Sequence, residues 1–210
     1  MKHSKRGGFT LVELLIVIVV LGVLAAMMML SSSAAVSSAK ASNIIAGLTT
    51  FKKALTHFYI DNHEKFVKQK DGSYIFKNLR TKSGSEVANL GALMQNAPEL
   101  VTKYIGNSSQ FKFDKNNYHG AATSGTWRFE DNGGANKRNA WFVGYTLSDA
   151  EIASGVNEKL VARTPSLKLL HNQGTIGVNS DGKTSGNSVK QEIKPYDGGQ
   201  IVWLKVLDLE

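Results

Sequence analysis

The chain has 210 residues, 42% of them apolar and 20% charged, and a formal charge of +8. That size accommodates one packed domain plus a membrane segment, and the charged share is too small for a disordered polyelectrolyte. There is no cysteine, which excludes a disulfide framework, a thiolate metal site and a cysteine nucleophile. An exported domain of this sequence must hold together by core packing or by a bound ion.

The first eight residues contain Lys2, Lys5 and Arg6. Without them the formal charge falls to +5, a balance that ordinary solubility explains and that also suits nucleic acid or an anionic surface. Leu11 to Leu30 is then apolar throughout except for Glu13. A helix of that length spans about 30 Å, the thickness of a bilayer core. Basic residues precede it and none follows until Lys40. The positive-inside bias therefore predicts a cytoplasmic N-terminus and residues 40–210 outside.

A secretory signal has a shorter apolar stretch with a small-residue cut site after it. Ala25-Ala26 imitates such a site, but here the apolar run continues into a helical pattern. Gly7-Gly8 instead places extended, accessible backbone before the apolar run, where a protease can bind it. Glu13 is costly near hydrocarbon and calls for a partner, or for snorkelling to the interface. In the uncut chain no partner is evident. A cut after Gly8 creates an ammonium on Phe9. Along a straight helix that ammonium does not easily reach its own Glu13, whereas a neighbouring subunit's can, and the exchange would set an axial register.

The run Gly8-Phe9-Thr10-Leu11-Val12-Glu13-Leu14-Leu15-Ile16-Val17, continued through Gly22 and Ala25-Ala26, resembles the type III signal of type IV prepilins and type II secretion pseudopilins. The likeness is close over residues 5–30 and loose as far as Tyr59. It implies cleavage between Gly8 and Phe9 by a membrane prepilin peptidase, N-methylation of Phe9, and pairing of Glu13 with the amino terminus of an adjacent subunit, with Thr10 beside the new terminus. It also implies homo- or hetero-oligomers with other pilin-like subunits, built at an inner-membrane assembly platform from subunits held in the lipid bilayer. The filament would lie at the cell surface or in the periplasm. One departure is Leu30, which stands where many such chains have proline. A bend there has no proline to cause it, and Gly22 and Ser31-Ser32-Ser33 are the remaining weak points of the helix.

Beyond the span, Ala41, Ile44, Leu48, Phe51, Leu55 and Phe58 recur at helical spacing, with Lys40, Lys52, Lys53 and Thr56 largely off that stripe. The stripe is too short for a coiled-coil seam. One helix from about Thr10 to Tyr59, roughly 75 Å long, accounts for both halves. The expected organisation is a leader (1–8), a transmembrane half-helix (9–30), a soluble half-helix (31–61) and an exported globular domain (62–210).

In the globular part, Asp71-Gly72 reads as a hairpin turn between strands at Phe66–Val67 and Tyr74–Phe76. A helix is expected from Ser85 through Met94, and a short one after Pro98 as far as Tyr104. Phe111–Phe113, Thr126–Phe129, Trp141–Leu147, Thr175–Val178 and Gln200–Leu207 alternate like strands, the last of them central in its sheet. Ser148-Asp149-Ala150-Glu151 is a capping-box helix start. Residues 115–125 and 131–139 read as loops. The fold class is α+β, a long N-terminal helix packed on a mainly antiparallel sheet, which the pilin resemblance also implies.

Gly177-Val178-Asn179-Ser180-Asp181-Gly182-Lys183-Thr184 matches the phosphate-loop pattern by letter, but no apolar helix follows it, so it reads as a turn. Asn179, Asp181, Asn187 and Asp197 are hard oxygen donors suited to Ca²⁺, although their spacing is not that of an EF-hand loop. The five histidines do not cluster, His63-Glu64 lacks the second histidine of a zinc protease, and no nucleophile elbow is present. Asn107-Ser108-Ser109 fits a glycosylation acceptor. No catalytic constellation emerges, and an enzyme is not expected. The first functional expectation is a structural subunit of a pilus or secretion pseudopilus. The second is a minor subunit whose exposed domain binds DNA or a secreted substrate, motivated by the +5 charge and by Trp127, Trp141 and Trp203.

Overall fold

The computed structural model describes residues 8–70, 74–106, 113, 114, 116–123, 128–131, 134–137, 139–172 and 192–209. One helix, α1 (Leu11–Asn62), runs unbroken across the serine run and past Leu30. The absent proline therefore leaves a continuous helix. From Leu11 to Met28 every residue is exposed. From Ala41 onward the helix has a buried face, with Ala41, Ile44, Leu48, Phe51, Leu55 and Phe58 all at 4% exposure or less. The expected stripe is the one that packs. Asn62 ends the helix, its side-chain amide donating to the Phe58 carbonyl at 2.9 Å.

A single 3₁₀ turn (His63–Lys65) leads into β1 (Phe66–Lys68), which pairs antiparallel with β2 (Tyr74–Phe76) as a separate two-stranded ribbon. Phe66 and Phe76 face each other on its inner side and meet Trp141 at 5.1 and 5.9 Å between ring centroids. Phe58 meets Phe76 edge-on at 5.9 Å. This aromatic cluster fastens the ribbon to the C-terminal end of α1, each ring pair adding about 0.5–1.5 kcal/mol beyond its burial.

The expected helix from Ser85 starts later. Residues 85–88 are instead tied back to the preceding chain, with Val87 N donating to Leu79 O at 2.8 Å and Phe76 N to Ala88 O at 2.9 Å. The turn between them uses Gly84 at φ +88°. Helix α2 (Leu90–Asn96) begins only after Asn89, whose side chain accepts from Ala92 N. Helix α3 (Glu99–Thr102) follows Pro98.

The remaining strands are β3 (Tyr118–Thr123), β4 (Arg128–Asp131), β5 (Gly134–Lys137), β6 (Asn139–Thr146), β7 (Leu170–Asn172), β8 (Glu192–Pro195) and β9 (Ile201–Leu209). Among the described residues they form one sheet in the order β3-β6-β9-β7-β8-β4-β5, antiparallel except for β4–β8. Strand β9 is interior, as expected, paired to β6 and β7. Two stretches expected as loops contain strands, β3 within 115–125 and β5 within 131–139. Phe113 is not in a strand but stacks on Phe51 at 4.9 Å. The expected strand at Thr175–Val178 lies outside the described residues.

Three short helices, α4 (Asp149–Ala153), α5 (Val156–Val161) and α6 (Thr164–Leu167), connect β6 to β7. The capping box at Ser148 is formed, with Glu151 N donating to Ser148 Oγ and Ser148 N to Glu151 Oε2. Arg163 reaches across to α1 and donates to Ser42 Oγ at 2.8 Å. Gly144 is required by a close approach. A Cβ there would stand 2.5 Å from the Trp203 ring, which lies over the strand.

Candidate functional site at the start of the long helix

Gly8 and Phe9 precede α1 in no regular structure, and both are exposed, Phe9 at 85%. Among the described residues nothing stands within 4 Å of where a Cβ on Gly8 would be. The peptide between them is therefore open backbone that another protein can approach. Thr10 is the N-cap, in the extended region at φ −78°, ψ 151°. Its hydroxyl oxygen accepts from Glu13 N at 3.2 Å. Its own N–H and O–H both donate to Glu13 Oε2, at 2.9 and 2.8 Å. This is a complete capping box.

The box corrects two expectations. Glu13 does have a partner in the uncut chain, its own Thr10. In addition, residues 9 and 10 lie outside the helix, so the picture of a terminus running straight along it does not hold. The signal was present in the letters: Thr10-x-x-Glu13 has the same form as Ser148-x-x-Glu151, and both boxes form. The box does not depend on the leader. Cutting the Gly8–Phe9 bond would leave Thr10 N–H, Thr10 O–H and Glu13 in place. Both Thr10 donors end on Oε2, so neither engages Oε1. A new ammonium at Phe9 would sit just ahead of the positive end of the helix dipole, where a carboxylate is the favourable companion.

Around this site the helix is apolar on every side. Leu11, Val12, Leu14, Leu15, Ile16, Val17 and Ile18 are all exposed. By length and composition the segment is able to cross a membrane, and none of its most apolar window is buried within the chain.

Other expected sites fare differently. Of the four calcium candidates only Asp197 is within the described residues, exposed at the turn between β8 and β9. Asn179, Asp181 and Asn187 lie outside them, as do the phosphate-loop letters and Asn107-Ser108-Ser109. Among the described residues no group of three or more His, Asp or Glu is arranged to hold a metal ion. Trp141 and Trp203 are buried, at 2% and 5% exposure, so neither offers a ring to an outside partner. Trp127 lies outside the described residues.

Residues 3–29 match the family model for the prokaryotic N-terminal methylation motif. No curated protein and no solved structure matches the chain. Residues 3–29 thus carry the prepilin-type signal of type IV pilins and pseudopilins, the mark of a pilin-like precursor.

Proposed function

We propose that the chain is a structural subunit of a type IV pilus or a type II secretion pseudopilus. It waits in the membrane with its N-terminus on the cytoplasmic side and is cut between Gly8 and Phe9 by prepilin peptidase. Phe9 is then N-methylated, and the subunit polymerises through α1. The observation that carries this reading is the geometry at Glu13. One carboxylate oxygen caps its own helix, and the other is not used by Thr10. A neighbour's Phe9 ammonium completes that carboxylate, and the apolar first half of α1, exposed throughout Leu11–Met28, is covered first by lipid and then by other subunits.

The test is Glu13→Ala in cells that assemble the filament. Membrane insertion and cleavage should persist, because Gly8–Phe9 and the apolar run are untouched. Filament assembly should be lost, as judged by sheared fractions and electron microscopy. Filaments of normal number and length from this variant would sink the proposal.

A further inference from the structure

The +5 charge of residues 9–210 is not spread over the chain. Residues 52–82 hold eight Lys/Arg against three Asp/Glu, a net of +5, so the rest of 9–210 is neutral. Within that segment Lys68, Lys70, Lys77, Arg80 and Lys82 are exposed. No ion pair joins any of the five to a described carboxylate. Arg80 donates one N–H to Gly84 O at 2.8 Å, and Lys68 Nζ sits 5.8 Å from the centre of the half-buried Tyr74 ring. Lys68 closes β1, Lys70 and Lys77 follow β1 and β2, and Arg80 and Lys82 lie in the next segment, which pairs with residues 85–87; all five come after the end of α1 farthest from its apolar half.

We propose that this end of the domain is a nucleic-acid-binding surface, with Lys68, Lys70, Lys77, Arg80 and Lys82 holding the phosphate backbone. The ribbon is anchored on one side by Phe66 and Phe76 against Trp141. Its other side, with Val67 and Ile75, is exposed. The lipid that holds the apolar half is out of reach. From Leu30 to Asn62 the helix rises about 48 Å, several Debye lengths at physiological salt. A second copy of the chain is a poor counter-charge as well, because the remainder of the sequence is neutral rather than acidic. Trp141 and Trp203, two of the tryptophans expected to support such binding, are buried, so the surface works by charge rather than by stacking on either ring and is indifferent to sequence.

The experiment uses the full chain in detergent micelles and a fluorescent 20-base-pair duplex, with anisotropy read from 20 to 200 mM salt. Neutralising about five phosphate contacts implies a slope of log K against log salt near −4.5. Changing all five residues to Gln should lower affinity at 50 mM salt at least ~100-fold and flatten the slope by about 4. Lys40→Gln with Lys159→Gln and Lys168→Gln, drawn from elsewhere on the chain, should change affinity less than ~10-fold. A variant with Arg at the four lysines should bind like the parent, and unchanged circular dichroism should accompany every variant. The proposal is overturned by absence of binding at 20 mM salt, by equal losses in the control set, or by tighter binding of an acidic polysaccharide of matched charge density.

Discussion

Helix α1 contains two regions that share a backbone and differ in what satisfies them. In Leu11–Met28 apolar residues point in every direction and all of them are exposed. In Ala41–Phe58 they are confined to one stripe, and the stripe is buried against the chain's own sheet and helices. A striped helix can be completed by one partner surface, whereas an all-round apolar helix needs to be surrounded. The second half is thus completed by its own domain, whereas the first half is exposed all round and by length and composition is able to cross a membrane. Truncating the same kinds of side chain in the two halves should therefore have different consequences for stability.

The largest contrast is in the core. Phe51→Ala or Phe58→Ala removes a fully buried ring from the packed half and should destabilise the domain by about 3–5 kcal/mol. For a domain of this size that is a fall in melting temperature of about 6–20 °C. Leu15→Ala or Val19→Ala in the exposed half should leave the melting temperature unchanged, measured on the full chain in detergent micelles by circular dichroism. An equal drop from Leu15→Ala would show that the apolar half folds back onto the domain, and the division of α1 would fail.

The same contrast explains what was legible in the sequence. The stripe at Ala41–Phe58, the β1–β2 strand pair, the Ser148 cap and the β9 strand each rest on a local pattern that tertiary packing reinforces, and each is present; the Asp71-Gly72 turn lies outside the described residues. Strand β3 was missed because its signal is suppressed by its own packing. A Cβ on Gly120 would stand 2.5 Å from Met94 Cγ, so the strand uses glycine where α2 approaches, and Gly120-Ala121-Ala122 reads as loop. The helix start at Ser85 was misplaced because residues 85–88 bond back to Leu79 and Phe76, a pairing no local spacing announces. At the candidate site Gly8, Phe9 and Glu13 are legible as letters, whereas the Thr10–Glu13 box satisfies the carboxylate within one turn of its own chain, which a search for a counter-charge in another chain does not reveal. The tryptophans misled in the other direction. Their side chains are large enough to suggest binding, but Trp141 and Trp203 are core.

The two capping boxes sharpen the comparison with a smaller effect. Ser148→Ala removes a cap inside the packed domain and should cost about 1 kcal/mol, a fall of about 2–4 °C. Thr10→Ala removes the same motif where nothing is packed, and the melting temperature should not move. Its effect belongs to the exposed end. Glu13 Oε2 loses the Thr10 hydroxyl and keeps the backbone N–H of residue 10, so cleavage should continue while assembly slows. A loss of thermal stability from Thr10→Ala would contradict the separation of the two regions.

The smallest effect is a pH dependence confined to the packed region. His119 pairs with Thr146 through Nε2 at 2.6 Å, and burial lowers its pKa from the usual 6.5. The unfolded chain therefore binds a proton there more readily than the folded one. Its contribution to stability is complete above pH 6.5 and is lost as pH falls through the lowered folded value. Tyr118 and Tyr196 behave with the opposite sign. Burial, then the nearby carboxylates Glu151 and Asp197, push them up to about 12, so their contribution is complete below pH 10 and is lost between about pH 10 and 12. Melting temperature should accordingly be flat between pH 6.5 and 10 with a shoulder on each side. His119→Gln should remove the acid shoulder below pH 6.5 and leave the alkaline one. An acid shoulder that survives His119→Gln would assign it to another group.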